Sequence, residues 1–116
     1  MGGARLYAGE GAGSTMQLDM SEEILSVAVF VPLDGHEQEA LATVRELSAV
    51  LAKGGYSRDI LYRGGPEDEY VLVRYWKSDE ARRAALEDPE AQRRWAKLAH
   101  EIRILKIHES LREIEL

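Results

Sequence analysis

The apolar segment over residues 24–31 constrains the fold of this chain more than any other part of the sequence. Apolar residues fill both faces of the strand that it predicts: Leu25, Val27, Val29 and Val31 on one face, and Ile24, Ala28 and Phe30 on the other. A strand that is apolar on both faces belongs to a sheet that is covered on both sides. The chain's own helices supply one cover, and we expect a second copy of the chain to supply the other.

The remaining signals predict six elements in the order β-α-β-β-α-β. Asp34 is the expected N-cap of the first helix, and Gly54 and Gly55 end it. Asp88 and Pro89 break the second helical region and restart it, as an N-cap followed by proline at the first helical position. The predicted elements are a strand over 24–31, a helix over 35–53, strands over 56–63 and 70–76, a broken helical region from about 78 onward, and a strand over 103–114.

This order is that of the split βαβ arrangement. We therefore expect an α+β, ferredoxin-like fold, in which both helical regions cover one face of a four-stranded antiparallel sheet. The other sheet face would be bare in a monomer. Stacking two such faces gives a homodimer with a barrel-like core, a dimeric α/β barrel.

Length and composition exclude several classes of protein. The 116 residues suffice for one domain over residues 21–116, preceded by a glycine-rich extension over residues 1–20. The absence of cysteine excludes disulfides and thiolate chemistry, and the three histidines lack metal-ligand spacing, so we predict no metal. A net charge of −6 argues against nucleic acid, and no apolar run is long enough for a membrane span. We expect a cytoplasmic protein.

The segment from residue 76 to residue 81, Trp-Lys-Ser-Asp-Glu-Ala, followed by the break at residues 88–89, resembles the antibiotic biosynthesis monooxygenase-like family. The resemblance covers roughly residues 22–114 and implies a dimeric ferredoxin-like domain. It also implies a cofactor-independent monooxygenase that acts on a small aromatic or polyketide-like substrate. Such enzymes use neither metal nor flavin, because the electron-rich substrate itself reduces dioxygen.

The resemblance extends to some site residues and fails at others. Trp76 matches a tryptophan that lines the substrate pocket in such enzymes, and Arg94 corresponds to an arginine of the second helical segment. Leu72 stands where those enzymes have an asparagine. In the haem-degrading branch of the family, a histidine ligand falls near Trp95, so we do not predict haem.

The residues themselves suggest further members of the site. Tyr70 and Arg74 share the strand face of Trp76, and a buried arginine there needs a carboxylate or a ligand as its partner. Trp95 lies on the apolar face of its helix and would be the wall opposite Trp76. His108 is the best general base by residue type. Strand alternation groups it with Ile104 and Lys106, and opposes it to Leu105, Ile107 and Leu111.

Two other functions are compatible with these features. The first is a non-catalytic dimer that binds a small, partly apolar ligand or has a structural role, which the leucine at position 72 favours. The second is a non-oxidative isomerase or cyclase, in which His108 or Arg74 would do the acid–base work.

Overall fold

The computed structural model describes residues 23–116, so the predicted glycine-rich extension over residues 1–20 lies outside the described residues. Its elements follow one another as predicted, with the second helical region divided in two. They are β1 (Ile24–Pro32), α1 (Glu37–Lys53), β2 (Ser57–Gly64), β3 (Glu69–Trp76), α2 (Asp79–Leu86), α3 (Pro89–Leu98) and β4 (Ile102–Leu111). The strands form one antiparallel sheet in the order β2-β3-β1-β4. The predicted α+β, ferredoxin-like fold is confirmed.

The core lies between the helices and one face of the sheet. From the sheet, Ile24 and Phe30 are almost completely buried, together with every second residue of β3. The helices bury a stripe at helical spacing that consists of Ala40, Thr43, Val44, Leu47 and Leu51 of α1, Ala85 of α2, and Ala91 and Leu98 of α3. The side chains on the opposite sheet face are only partly buried in this chain.

Local capping chemistry explains where the helices begin. Ser78 caps α2 by accepting a hydrogen bond from the Ala81 N–H, and Asp88 caps α3 by accepting from two backbone N–H groups, with Pro89 at the first position.

The predicted start of α1 was wrong, since the N-cap of this helix is His36 and not Asp34. Gly35 adopts a φ of 78°, and the His36 N–H donates to the Leu33 carbonyl, so a turn occupies the positions where the helix was expected to begin.

Tyr56 joins the end of α1 to the break between α2 and α3. Its hydroxyl donates to Asp88 Oδ2 at 2.9 Å, and its carbonyl accepts from the Lys77 N–H at 2.9 Å. Its ring lies against Gly54, where a β-carbon would overlap the ring atoms. Tyr56 therefore links, through its ring, hydroxyl and backbone carbonyl, the end of α1, the segment after β3 and the break between α2 and α3.

The Tyr56–Asp88 hydrogen bond should make the stability depend on pH. The Tyr56 hydroxyl, followed by the Glu90 and Ala91 N–H groups, holds the pKa of Asp88 below its ordinary value of 3.8. A depressed pKa in the folded state stabilises the protein above pH 3.8, and this contribution is lost as the pH falls through the folded-state pKa. We expect Asp88→Asn to melt below the wild type at pH 6, and the difference to shrink towards pH 2.

Circular-dichroism melts across that pH range measure this difference. Glu87→Gln, which removes a charge from the exposed neighbouring residue, is the matched control. A difference between wild type and Asp88→Asn that stays constant with pH would contradict the role of the Asp88 carboxylate.

Two bulges in β4 change which face its residues occupy. Leu105 is an extra residue between the pairs Val29–Lys106 and Phe30–Ile104, and Glu109 and Ser110 together oppose Ser26. The sheet faces predicted from simple alternation along β4 are therefore wrong for Ile104 and Leu111. The pairing puts Ile104 on the helix side opposite Phe30, whereas Leu111 shares the bare face with His108. The strand also ends at Leu111, before the predicted residue 114.

Among residues 23–116, no helix combines the length and the apolar character that crossing a membrane requires.

Candidate functional site

Strand β3 brings four predicted site residues onto the face that the helices cover. Tyr70, Leu72, Arg74 and Trp76 alternate with partly buried residues and are 3–7% exposed. Their common face puts two aromatic rings, an apolar side chain and a guanidinium group in one row. The candidate site is therefore the layer between β3 and the helices.

Trp76 is fixed at both its edge and its face. Its indole N–H donates to Ser26 Oγ at 2.7 Å, and the Ser26 hydroxyl donates to the Glu109 carbonyl at 2.7 Å. The guanidinium carbon of Arg74 lies 5.6 Å from the centroid of the ring, within the range of a cation–π contact. Sequence reasoning missed Ser26, although it is the one polar residue between Ile24 and Phe30.

Arg74 has the carboxylate partner that its position predicted. Its Nε and Nη2 donate to the two carboxylate oxygens of Asp59, each at 2.8 Å, and Ser48 Oγ donates to Asp59 Oδ2 at 2.5 Å. The side chains of Arg74 and Asp59 are 9% and 4% exposed. Because the pair is buried and bidentate, Asp59 neutralises the charge of Arg74 at the site.

Tyr70 lies at the other end of the row of side chains that Tyr70, Leu72, Arg74 and Trp76 form on β3, and it belongs to a second cluster of polar residues. Its hydroxyl donates to the Glu37 carboxylate at the start of α1, and its ring stacks on Phe30 with centroids 5.6 Å apart. Arg63 lies 3.4 Å from the same carboxylate. The hydrogen bond to Glu37 and then burial raise the pKa of the Tyr70 hydroxyl. At neutral pH Tyr70 is therefore a proton donor already engaged by Glu37, and it is poorly suited to act as a base.

The two predicted residues of α3 differ in their surroundings. Trp95 is partly buried and packs against the core cluster that contains Trp76. Arg94 lies nearer the surface, where its Nη1 is 2.5 Å from Glu90 Oε1 and its Nε is 3.5 Å from Glu46 Oε1. Trp95 therefore belongs to the layer that contains β3, while Arg94 is occupied by carboxylates of the helix surface.

His108 does not join the other predicted residues. It is exposed, and its pairing with Val27 puts it on the bare sheet face, across the sheet from Trp76 and Arg74. Within one chain it therefore cannot act on a molecule that is bound between the sheet and the helices.

The side chains of this row match an aromatic ligand better than a strongly anionic one in their chemistry. Tryptophan and tyrosine rings are flat and largely apolar, and a hydrogen bond fixes the orientation of the indole. The one buried guanidinium of the row is already paired with Asp59. In the described part of the chain, no three histidine, aspartate or glutamate side chains lie close enough together to hold a metal ion.

Several solved structures share this fold. A conserved protein of unknown function from Bacteroides thetaiotaomicron, suggested to be an oxidoreductase, superposes with a TM-score of 0.67 at 12% identity, over 78% of this chain and 99% of that one. SnoaB, a cofactor-independent oxygenase from Streptomyces nogalater, gives 0.65 at 21% identity, over 80% and 97%. A candidate antibiotic biosynthesis monooxygenase from Chloroflexus aurantiacus gives 0.65 at 15% identity, over 80% and 94%.

The chain has the fold of these proteins. No protein-family model and no curated protein matches the sequence. At identities of 12% to 21%, the structural likeness supports the resemblance to the monooxygenase-like family at the level of fold. The same fold can carry different chemistry, so function has to be argued from this chain's own residues.

Proposed function

We propose that the chain is a homodimeric, cofactor-independent monooxygenase that acts on a small aromatic or polyketide-like substrate. The observation that carries this proposal is the buried Trp76, whose indole is oriented by Ser26 and covered by the Arg74 guanidinium. The fold that it shares with the cofactor-independent oxygenase SnoaB supports the same function. The substrate would lie against the β3 row, between the sheet and the helices.

The reaction class follows from what these residues can and cannot supply. An electron-rich phenol can provide the electrons for dioxygen itself, so that one oxygen atom enters the substrate and the other leaves as water. The protein then has to hold the ring, exclude water and stabilise charge that develops during electron transfer. The Trp76 ring can perform the first of these tasks, and the Nη1 group of Arg74, which does not donate to Asp59, can perform the last.

The proposed homodimer forms through the bare face of the sheet. Valines of β1 and β3 face each other there in the pairs Val27–Val73 and Val29–Val71, and Leu25 continues the row beside Tyr75. These side chains remain partly exposed in the single chain. An apolar strip of this kind along β1 and β3 is stabilised when it is covered, and a second copy offers a strip of matching chemistry.

Oxygen dependence tests the catalytic part of the proposal. We expect the wild type to convert quinol-type phenols in air but not under anaerobic conditions, with oxygen uptake that chelators do not reduce. Trp76→Phe should lower kcat/KM by about tenfold or more, since it removes the indole edge while keeping an aromatic core residue. Tyr75→Phe is the matched control because its side chain lies on the opposite face of the same strand. Equal turnover with and without oxygen would overturn the proposal.

A specific observation favours a second function, non-catalytic binding of the same class of ligand. Leu72 provides no polar group where related enzymes have an asparagine, and Asp59 already neutralises Arg74. For a pure binding protein, a quinol-type phenol would quench the tryptophan fluorescence, the quenching would be weaker in Trp76→Phe, where Trp95 is the remaining tryptophan, and no oxygen would be consumed. Fluorescence titration and oxygen uptake on the same samples separate the two functions.

A further inference from the structure

We propose that Ser26 is the positioning residue for Trp76, and that it sets the orientation in which the indole meets the substrate. This inference rests on the proposed function, because it assigns a role within the same site. Ser26 does not need to touch the substrate, since its hydroxyl is already shared between the Trp76 N–H and the Glu109 carbonyl.

The position of Ser26 in the sheet makes this contact possible. Ser26 pairs with Arg74 across β1 and β3. It therefore lies on the same sheet face as Ile24, the direct partner of Trp76, and two residues further along β1. On its other side, the β4 bulge places two residues, Glu109 and Ser110, opposite Ser26 alone. The bulge interrupts the regular pairing at this point, and the Glu109 carbonyl lies 2.7 Å from the Ser26 hydroxyl.

The Trp76 N–H, the Ser26 hydroxyl and the Glu109 carbonyl form a chain of hydrogen bonds with a defined direction. A serine hydroxyl has one hydrogen and two lone pairs, whereas an indole nitrogen can only donate. Donation to a backbone carbonyl stops the hydroxyl from rotating, so its lone pairs point in fixed directions. The Trp76 N–H therefore has one fixed acceptor among the described residues, and the ring plane is held with it.

Loss of this acceptor should affect the site more than the core. Trp76 is 3% exposed, so its N–H in Ser26→Ala would be buried without this partner, and no hydrogen bond to Ser26 would fix the orientation of the ring. If the indole is misoriented, the rate of reaction of the bound substrate falls more than the affinity for the substrate. We expect kcat to fall about tenfold with little change in KM. Ser26→Thr keeps the hydroxyl and should retain kcat.

The test combines NMR with kinetics. The indole N–H resonance of Trp76 is identified by its loss in Trp76→Phe, and we expect it to move upfield in Ser26→Ala but to stay in place in Ser26→Thr. Ser110→Ala is the matched control, because it removes an exposed hydroxyl from the same bulge. If Ser26→Ala does not fold, Ser26→Cys, with a weak acceptor of similar size, replaces it.

An unmoved resonance in Ser26→Ala, or an unchanged kcat in that variant while Trp76→Phe lowers it, would overturn the positioning role. Failure of the proposed function gives a different result. In that case the wild type shows no oxygen-dependent turnover, or Trp76→Phe keeps full activity, while the resonance comparison still decides whether Ser26 holds the indole.

Discussion

Replacing Asp59 with alanine is expected to lower the free energy of unfolding by about 3–5 kcal/mol, because it leaves the Arg74 guanidinium buried without its counter-charge. Both side chains are at least nine-tenths buried, and Asp59 also accepts the Ser48 hydroxyl. The variant therefore also leaves the partly buried Ser48 hydroxyl without its acceptor. Urea unfolding followed by circular dichroism measures the loss.

The control for Asp59→Ala is Asp68→Asn, which removes an exposed negative charge that pairs with Arg63 in the same hairpin. Asparagine tolerates the left-handed φ of 55° at this position, and surface pairs of this kind contribute about 0–1 kcal/mol, so Asp68→Asn should unfold close to the wild type. The double variant Asp59→Leu with Arg74→Met should recover much of the loss, because an apolar pair leaves no uncompensated charge. Equal destabilisation by Asp59→Ala and Asp68→Asn would contradict a buried, coupled pair.

Val73→Glu is expected to convert the proposed homodimer into a folded monomer. Val73 lies at the centre of the bare face, where it pairs with Val27 on one side and Ile60 on the other. Stacking two sheets there would bury the new carboxylate beside Val27 and Ile60, at a cost of about 3–5 kcal/mol. The dimer dissociation constant should therefore rise by about 10²–10⁴-fold. Sedimentation velocity at micromolar concentration measures the change.

Leu61→Glu is the matched control for the interface. Leu61 is also an exposed apolar strand residue, at 37% exposure, but its pairing with Leu72 puts it on the helix side of the sheet. The charge there should leave the dimer intact. A wild type that sediments as a monomer would refute the homodimer, and equal dissociation by both variants would show that the interface lies elsewhere.

Features governed by neighbouring residues could be predicted from the sequence. The break at Asp88 and Pro89 depends on a capping side chain and on a ring that cannot donate, and both effects act within a few residues. The prediction of where α1 begins was wrong because two local signals competed. The turn through Gly35 formed, and Asp34 did not become the N-cap.

Features that depend on strand pairing could not be predicted in the same way. Alternation assumes a regular ladder, whereas the extra residue at Leu105 is visible only once β4 is paired with β1. For the same reason, the sequence predicted that Arg74 needs a carboxylate or a ligand as its partner but could not select Asp59 from the acidic residues available. Asp59 is selected because β2 and β3 pair it directly opposite Arg74.

The contacts of Tyr56 limit which residues can replace Gly54. Gly54 ends α1 with a φ of −76°, a conformation that any residue can adopt, so backbone freedom does not explain the glycine. The explanation is the Tyr56 ring, which occupies the space of a β-carbon while its hydroxyl donates to Asp88, the N-cap of α3. A larger residue at position 54 would have to displace that ring, and so disturb the start of α3 from the end of α1.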